Sequence, residues 1–81
     1  MKARFIKDVS EMFQGTAILY RLESGDYIVA SAAFVMFSGP ETYLFKADEN
    51  GKVTDWGELE GSRRGTLDID SVMIEAGYEI Q

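Results

Sequence analysis

Between Tyr27 and Phe37 the chain runs for eleven residues without a charge. Alternation sorts these residues onto two faces. One carries Tyr27, Val29, Ser31, Ala33, Val35 and Phe37; the other carries Ile28, Ala30, Ala32, Phe34 and Met36. Neither face is polar. A strand that is apolar on both sides is covered on both sides. A membrane helix needs about 20 apolar residues, so the run reads as a buried central strand and not a span. The small residues at 30–33 leave room for another element to approach closely.

The flanking segments supply that strand with neighbours. Lys2–Val9 alternates imperfectly and reads as a first strand. Ser10–Gly15 reads as a connector whose Met12 and Phe13 plug one end of the core. Thr16–Glu23 alternates clearly, with Ile18, Tyr20 and Leu22 sharing a face. Ser24-Gly25-Asp26 is a tight turn, because glycine supplies a positive φ and Ser and Asp bond back to the backbone. Ser38-Gly39-Pro40 breaks the apolar run, and a further strand is expected over Glu41–Ala47. Asn50-Gly51 marks a hairpin leading to a short strand at Val53–Trp56. Gly57–Gly65 reads as an exposed irregular loop. Thr66–Ala76 is the one helix expected, capped by Thr66 or Asp68 and ended by Gly77. Tyr78–Gln81 leaves as a tail or short edge strand. The expected fold is a single α+β domain over 1–81: an antiparallel sheet of four to five strands with a short C-terminal helix on one face.

One helix covers only one side of such a sheet. The sheet could curl on itself as a half-barrel. A second copy of the chain could pack there, making a homodimer, or a partner protein could do so.

The residue inventory narrows the chemistry. The 81 residues include neither histidine nor cysteine. Serine has no imidazole to activate it, and no lysine sits in an apolar context that would lower its pKa. Paired carboxylates (Asp48/Glu49, Glu58/Glu60, Asp68/Asp70) fall in loops or at a helix start, where acids are ordinarily solvated or capping. Asp48 does not open a calcium loop, because Lys52 and Val53 stand where a ligand and a glycine are needed. No enzymatic activity, cofactor or metal site is expected. The net charge of −6 disfavours direct nucleic-acid binding, which needs clustered cations. The basic residues Lys2, Arg4 and Lys7 gather at the start of the chain. No signal segment or membrane span is read, and a cytoplasmic setting is expected.

The loop after Trp56 holds the best candidates for binding. Gly57, Gly61 and Gly65 recur around Arg63 and Arg64. The two arginines could clamp a carboxylate, or one could pair with Glu58 or Glu60 and leave the other in solvent. Trp56 could lid the sheet or serve as an exposed anchor, since Trp and Arg dominate interface hot spots. Trp56, Glu58, Glu60, Arg63 and Arg64 are therefore the expected contact residues.

Gly39-Pro40-Glu41-Thr42-Tyr43, Asn50 through Leu59, and Ala76-Gly77-Tyr78-Glu79 resemble stretches of small uncharacterised proteins of actinobacteria and their bacteriophages. The resemblance covers most of the chain, from Met1 to Tyr78, although Lys46 stands where a proline is expected. It implies no activity and carries over no functional residue. What it implies is a small accessory protein of phage origin that modulates a host protein. The expected function is thus a small acidic protein-binding module. The alternatives are an acidic nucleic-acid mimic that inhibits a DNA-binding protein and a small metal-dependent or carboxylate enzyme.

Overall fold

The computed structural model describes residues 1–81. The strands are β1 (Lys2–Asp8), β2 (Thr16–Leu22), β3 (Tyr27–Val35), β4 (Gly39–Ala47), β5 (Val53–Asp55), β6 (Arg63–Arg64) and β7 (Glu79–Ile80); a 3-10 turn spans Ser10–Met12 and helix α1 spans Ile69–Glu75. The sheet order is β5-β4-β3-β2-β1-β7, with β6 also on β4. The α+β class and the antiparallel centre match the expectation. The strand number does not: there are seven, and the sheet is mixed, because β7 lies parallel to β1. Strands of two residues leave no alternating pattern in a sequence, so both β6 and the parallel pairing escape periodicity.

Helix α1 is shorter than the expected Thr66–Ala76. Asp68 is the N-cap: its side chain accepts from the Ser71 N–H at 3.2 Å and from the Ser71 hydroxyl at 2.8 Å. Thr66 sits outside, accepting from the Asp68 N–H through its hydroxyl. At the other end Gly77 has φ of +96°, and Gly77 N–H and Tyr78 N–H donate to Ile74 O and Met73 O. That is a complete Schellman closure. A seven-residue helix is not stable alone; Ile69, Val72 and Met73 bury it against Tyr20, Leu22, Ile28, Ala30, Ala32 and Leu44. Burying each large aliphatic side chain contributes about 1.5–3 kcal/mol.

The opposite face is covered from within the chain. Val9, Ala17, Leu19 and Val29 are buried together, with Phe13, Tyr27 and Ala47 packed around them. The β1–β2 connector folds back to supply Val9 and Phe13, while Met12 stays exposed. The β4–β5 turn closes on the connector: a Cβ on Gly51 would stand 2.8 Å from Val9 Cγ1.

The apolar run does break before Gly39, in a turn, but the next strand starts two residues earlier than expected, so Pro40 lies inside β4, opposite Phe34. Its carbonyl accepts from Gly65 N–H on the outer edge, so its missing N–H faces away from β3 and costs the ladder nothing.

Candidate interaction surface

The central strand is buried only along its inner part. β3 outruns its neighbour, since β2 begins opposite Ala32. Beyond that point only β4 pairs with it, through Ala33–Glu41, Phe34–Pro40 and Val35–Gly39. Phe34, Met36 and Phe37 are 73, 76 and 101% exposed, and Val35 is exposed as well. The expectation that residues 34–37 are buried is therefore corrected. Periodicity reports that a run is apolar, but it does not report how far the neighbouring strands extend. The signal available was position: these residues immediately precede the turn at Ser38-Gly39.

The backbone holds the tip in a fixed shape. Ser38 N–H donates to Val35 O at 3.1 Å. Phe37 has φ of +70° and is the one non-glycine residue with positive φ. In a four-residue turn from Val35 to Ser38, positive φ at the third position is the type II pattern, which favours glycine there. A phenylalanine in that conformation costs about 1–3 kcal/mol. The strained side chain touches nothing that would offset the cost.

Behind the tip, a polar group ties β4 to β6. Glu41 is only 4% exposed. The Tyr43 hydroxyl donates to both of its carboxylate oxygens, at 2.6 and 2.9 Å, and Arg64 Nε lies 3.4 Å from Oε1. The bond to Glu41 holds the Tyr43 phenol above its ordinary pKa, and Tyr43 and Glu41 raise that of Arg64.

The five residues expected to form a contact loop do not converge. Arg63 stands opposite Thr42 and Arg64 opposite Glu41. Successive strand residues point to opposite faces, so the two arginines do not form one clamp. They pair with Glu75 (2.8 Å) and Glu41, not with Glu58 or Glu60. Glu58 and Glu60 are exposed. Trp56 is 67% exposed; its ring lies edge-on to Phe45 at 5.2 Å and tilted to Phe13 at 6.3 Å. It is thus a partial cover for those rings with a free outer surface. The glycine loop between them seals the outer edge of β4. Leu59 N–H donates to Leu44 O, and Ser62 Oγ accepts from Leu44 N–H while donating to Leu59 O.

No family model matches the chain. No curated protein and no solved structure matches it either. Asp48, the first of the acids weighed for metal binding, accepts from the N–H groups of Asn50 and Lys52 and so organises its own turn. No helix is long and apolar enough to cross a membrane. The tip is the largest contiguous run of exposed apolar side chains along the chain.

Proposed function

We propose that this chain is a non-enzymatic protein-binding module whose contact element is the β3–β4 hairpin tip. The observation that carries this reading is Phe37: a large apolar side chain, fully exposed, on a backbone conformation that opposes it. Isolated exposed apolar residues need no explanation, but four in succession on a protruding turn mark an interaction site. Phe and Met are well suited to it. An aromatic anchor fills a pocket, and Met adapts to an irregular one. The partner is a protein with an apolar cleft, and a cytoplasmic host protein modulated by a phage-borne chain fits the resemblance noted above. Trp56 and Arg64 share the second sheet face with Tyr43 and Phe45, so they can form a rim to the contact; Glu58, Glu60 and Arg63 are peripheral to it.

A photo-crosslinking amino acid placed at position 37 tests this in lysate of the native host. One protein should be captured from position 37, and the capture should fail when Phe34 and Met36 are changed to serine. Capture from a probe at position 58 but not from 37 would reject the tip as the contact element. Flotation of the chain with phosphatidylcholine vesicles, lost in the same serine variants, would reject a protein partner in favour of a bilayer.

A further inference from the structure

A row of aromatic rings lies along β4 on the second face of the sheet. Tyr43 and Phe45 alternate onto that face, and their rings stack at 5.9 Å with 28° between the planes. Trp56 continues the row, 5.2 Å from Phe45 at 65°. Phe13 of the β1–β2 connector ends it, 6.3 Å from Trp56 at 58°. The strand beside the row carries small residues: Ser31 stands opposite Tyr43, and Ala33 opposite Glu41. Both are half-buried, so they leave the flank of the rings open.

The hydrogen-bonding capacity of this row is one-sided. The Tyr43 hydroxyl donates to Glu41, and Arg64 pairs with that same carboxylate. The β4 backbone is paired along both edges, to β3 on one and to β5, β6 and the Leu59–Ser62 segment on the other. No strand can add there. What remains is the Trp56 indole, which is 67% exposed, makes no hydrogen bond within the chain and can only donate. Its surroundings are acidic. Asp55 and Glu58 bracket Trp56 in sequence, and Glu58 lies close enough to Arg64 to raise the pKa of the guanidinium.

We infer that this row binds a proline-rich segment of a protein partner, in the polyproline II conformation and with a basic residue at its flank. Such a helix has no internal hydrogen bonds, so its carbonyls are open to a donor. Its prolines have no N–H that would demand an acceptor, and their rings pack on aromatic faces. Rings with a donor-only indole among them match that ligand. They do not match an ordinary extended segment, whose N–H groups need acceptors that this face does not offer. Single-stranded nucleic acid also stacks on aromatic rings, but its phosphates would meet Asp55 and Glu58 on a chain of net charge −6. A second copy of this chain is not the occupant, because its one proline, Pro40, is held inside β4. The inference goes beyond the tip contact, since it gives Trp56 a ligand of its own.

The test uses a fluorescein-labelled oligoproline peptide flanked by arginines, with two controls. One control has Ser in place of every Pro; the other has Glu in place of every Arg. By anisotropy the proline–arginine peptide should bind at least roughly tenfold more tightly than either control. Trp56 is the chain's sole tryptophan, so emission of the wild type should shift to the blue as unlabelled peptide covers it. Trp56→Ala should abolish binding. Trp56→Phe, which keeps a ring but loses the N–H, should weaken it roughly threefold or more. The pair Phe34→Ser and Met36→Ser should leave the affinity unchanged, which separates this site from the hairpin tip. No binding at millimolar peptide, equal affinity for the serine control, or undiminished binding to a folded Trp56→Ala variant would overturn the proposal. A blue shift with cellopentaose and none with the peptide would also overturn it, by assigning the rings to a sugar.

Discussion

The Tyr43 hydroxyl bonds both carboxylate oxygens of Glu41, and Glu41 stands opposite Ala33, directly behind the tip of the β3–β4 hairpin. This pair, with Arg64, braces the neck that projects Phe34–Phe37 away from the sheet. A buried carboxylate is tolerable only when its hydrogen bonds are made. Tyr43→Phe removes the closest donor to Glu41 and should lower the melting temperature. Glu41→Gln should be milder than Glu41→Ala, since the amide keeps an acceptor for the phenol. Thermal unfolding of the three variants checks the order. A Tyr43→Phe variant that melts with the wild type would show that the neck does not depend on this bond.

The two arginines should behave differently. Arg63 and Glu75 form a half-exposed pair, and such pairs contribute about 0–1 kcal/mol. Arg63→Ala should therefore change stability by less than about 1 kcal/mol. Arg64→Ala strips a partner from buried Glu41 and should cost more than Arg63→Ala. Urea denaturation of each variant decides, and equal losses would contradict the assignment.

Gly61 is a packing requirement. Its φ is +103°, and a Cβ there would lie 2.5 Å from the Ala76 Cβ. Gly61→Ala should destabilise by about 1–3 kcal/mol, combining left-handed strain with overpacking against α1. The same substitution at Gly65, also at positive φ but with open space around it, should cost less. Denaturation midpoints compare the two.

Acid should weaken the helix cap. Bonds from the Ser71 backbone and hydroxyl hold the Asp68 carboxyl below its ordinary pKa. A carboxyl depressed in the folded state contributes stability that is fully present above its unfolded value of about 3.9 and is lost as pH falls through the lower folded value. Asp68→Asn keeps a capping acceptor but cannot titrate. Its melting temperature should therefore fall less between pH 6 and pH 3 than that of the wild type. Asp8, depressed in the same way by Ser10, adds to the acid loss in both proteins and cancels in the comparison.

Much of this arrangement was legible in the residues, and the parts that were not share a physical cause. Ser24-Gly25-Asp26, Asn50-Gly51, Asp68 and Gly77 each act locally, so their turn and cap chemistry could be read directly. Clean alternation in Thr16–Leu22 located β2. The partners of Arg63 and Arg64, Glu75 and Glu41, are distant in sequence and fixed only by the fold, so local spacing does not reveal them. Alternation alone leaves the second face of β3 to curling, a copy or a partner. The connector's Val9 and Phe13 cover its inner part instead, through a fold-back that has no periodic signature. Residues 34–37 are as apolar as Ile28–Ala30, and only the length of β2 separates an interior from an exposed tip.

The division of β3 into a buried inner part and a projecting outer part is tested most directly by equilibrium denaturation of the triple variant Phe34→Ser, Met36→Ser, Phe37→Ser. Side chains that support no packing should leave unfolding free energy within about 0.5 kcal/mol of the wild type. A loss of about 3 kcal/mol or more, the scale of emptying an aromatic from a core, would contradict it.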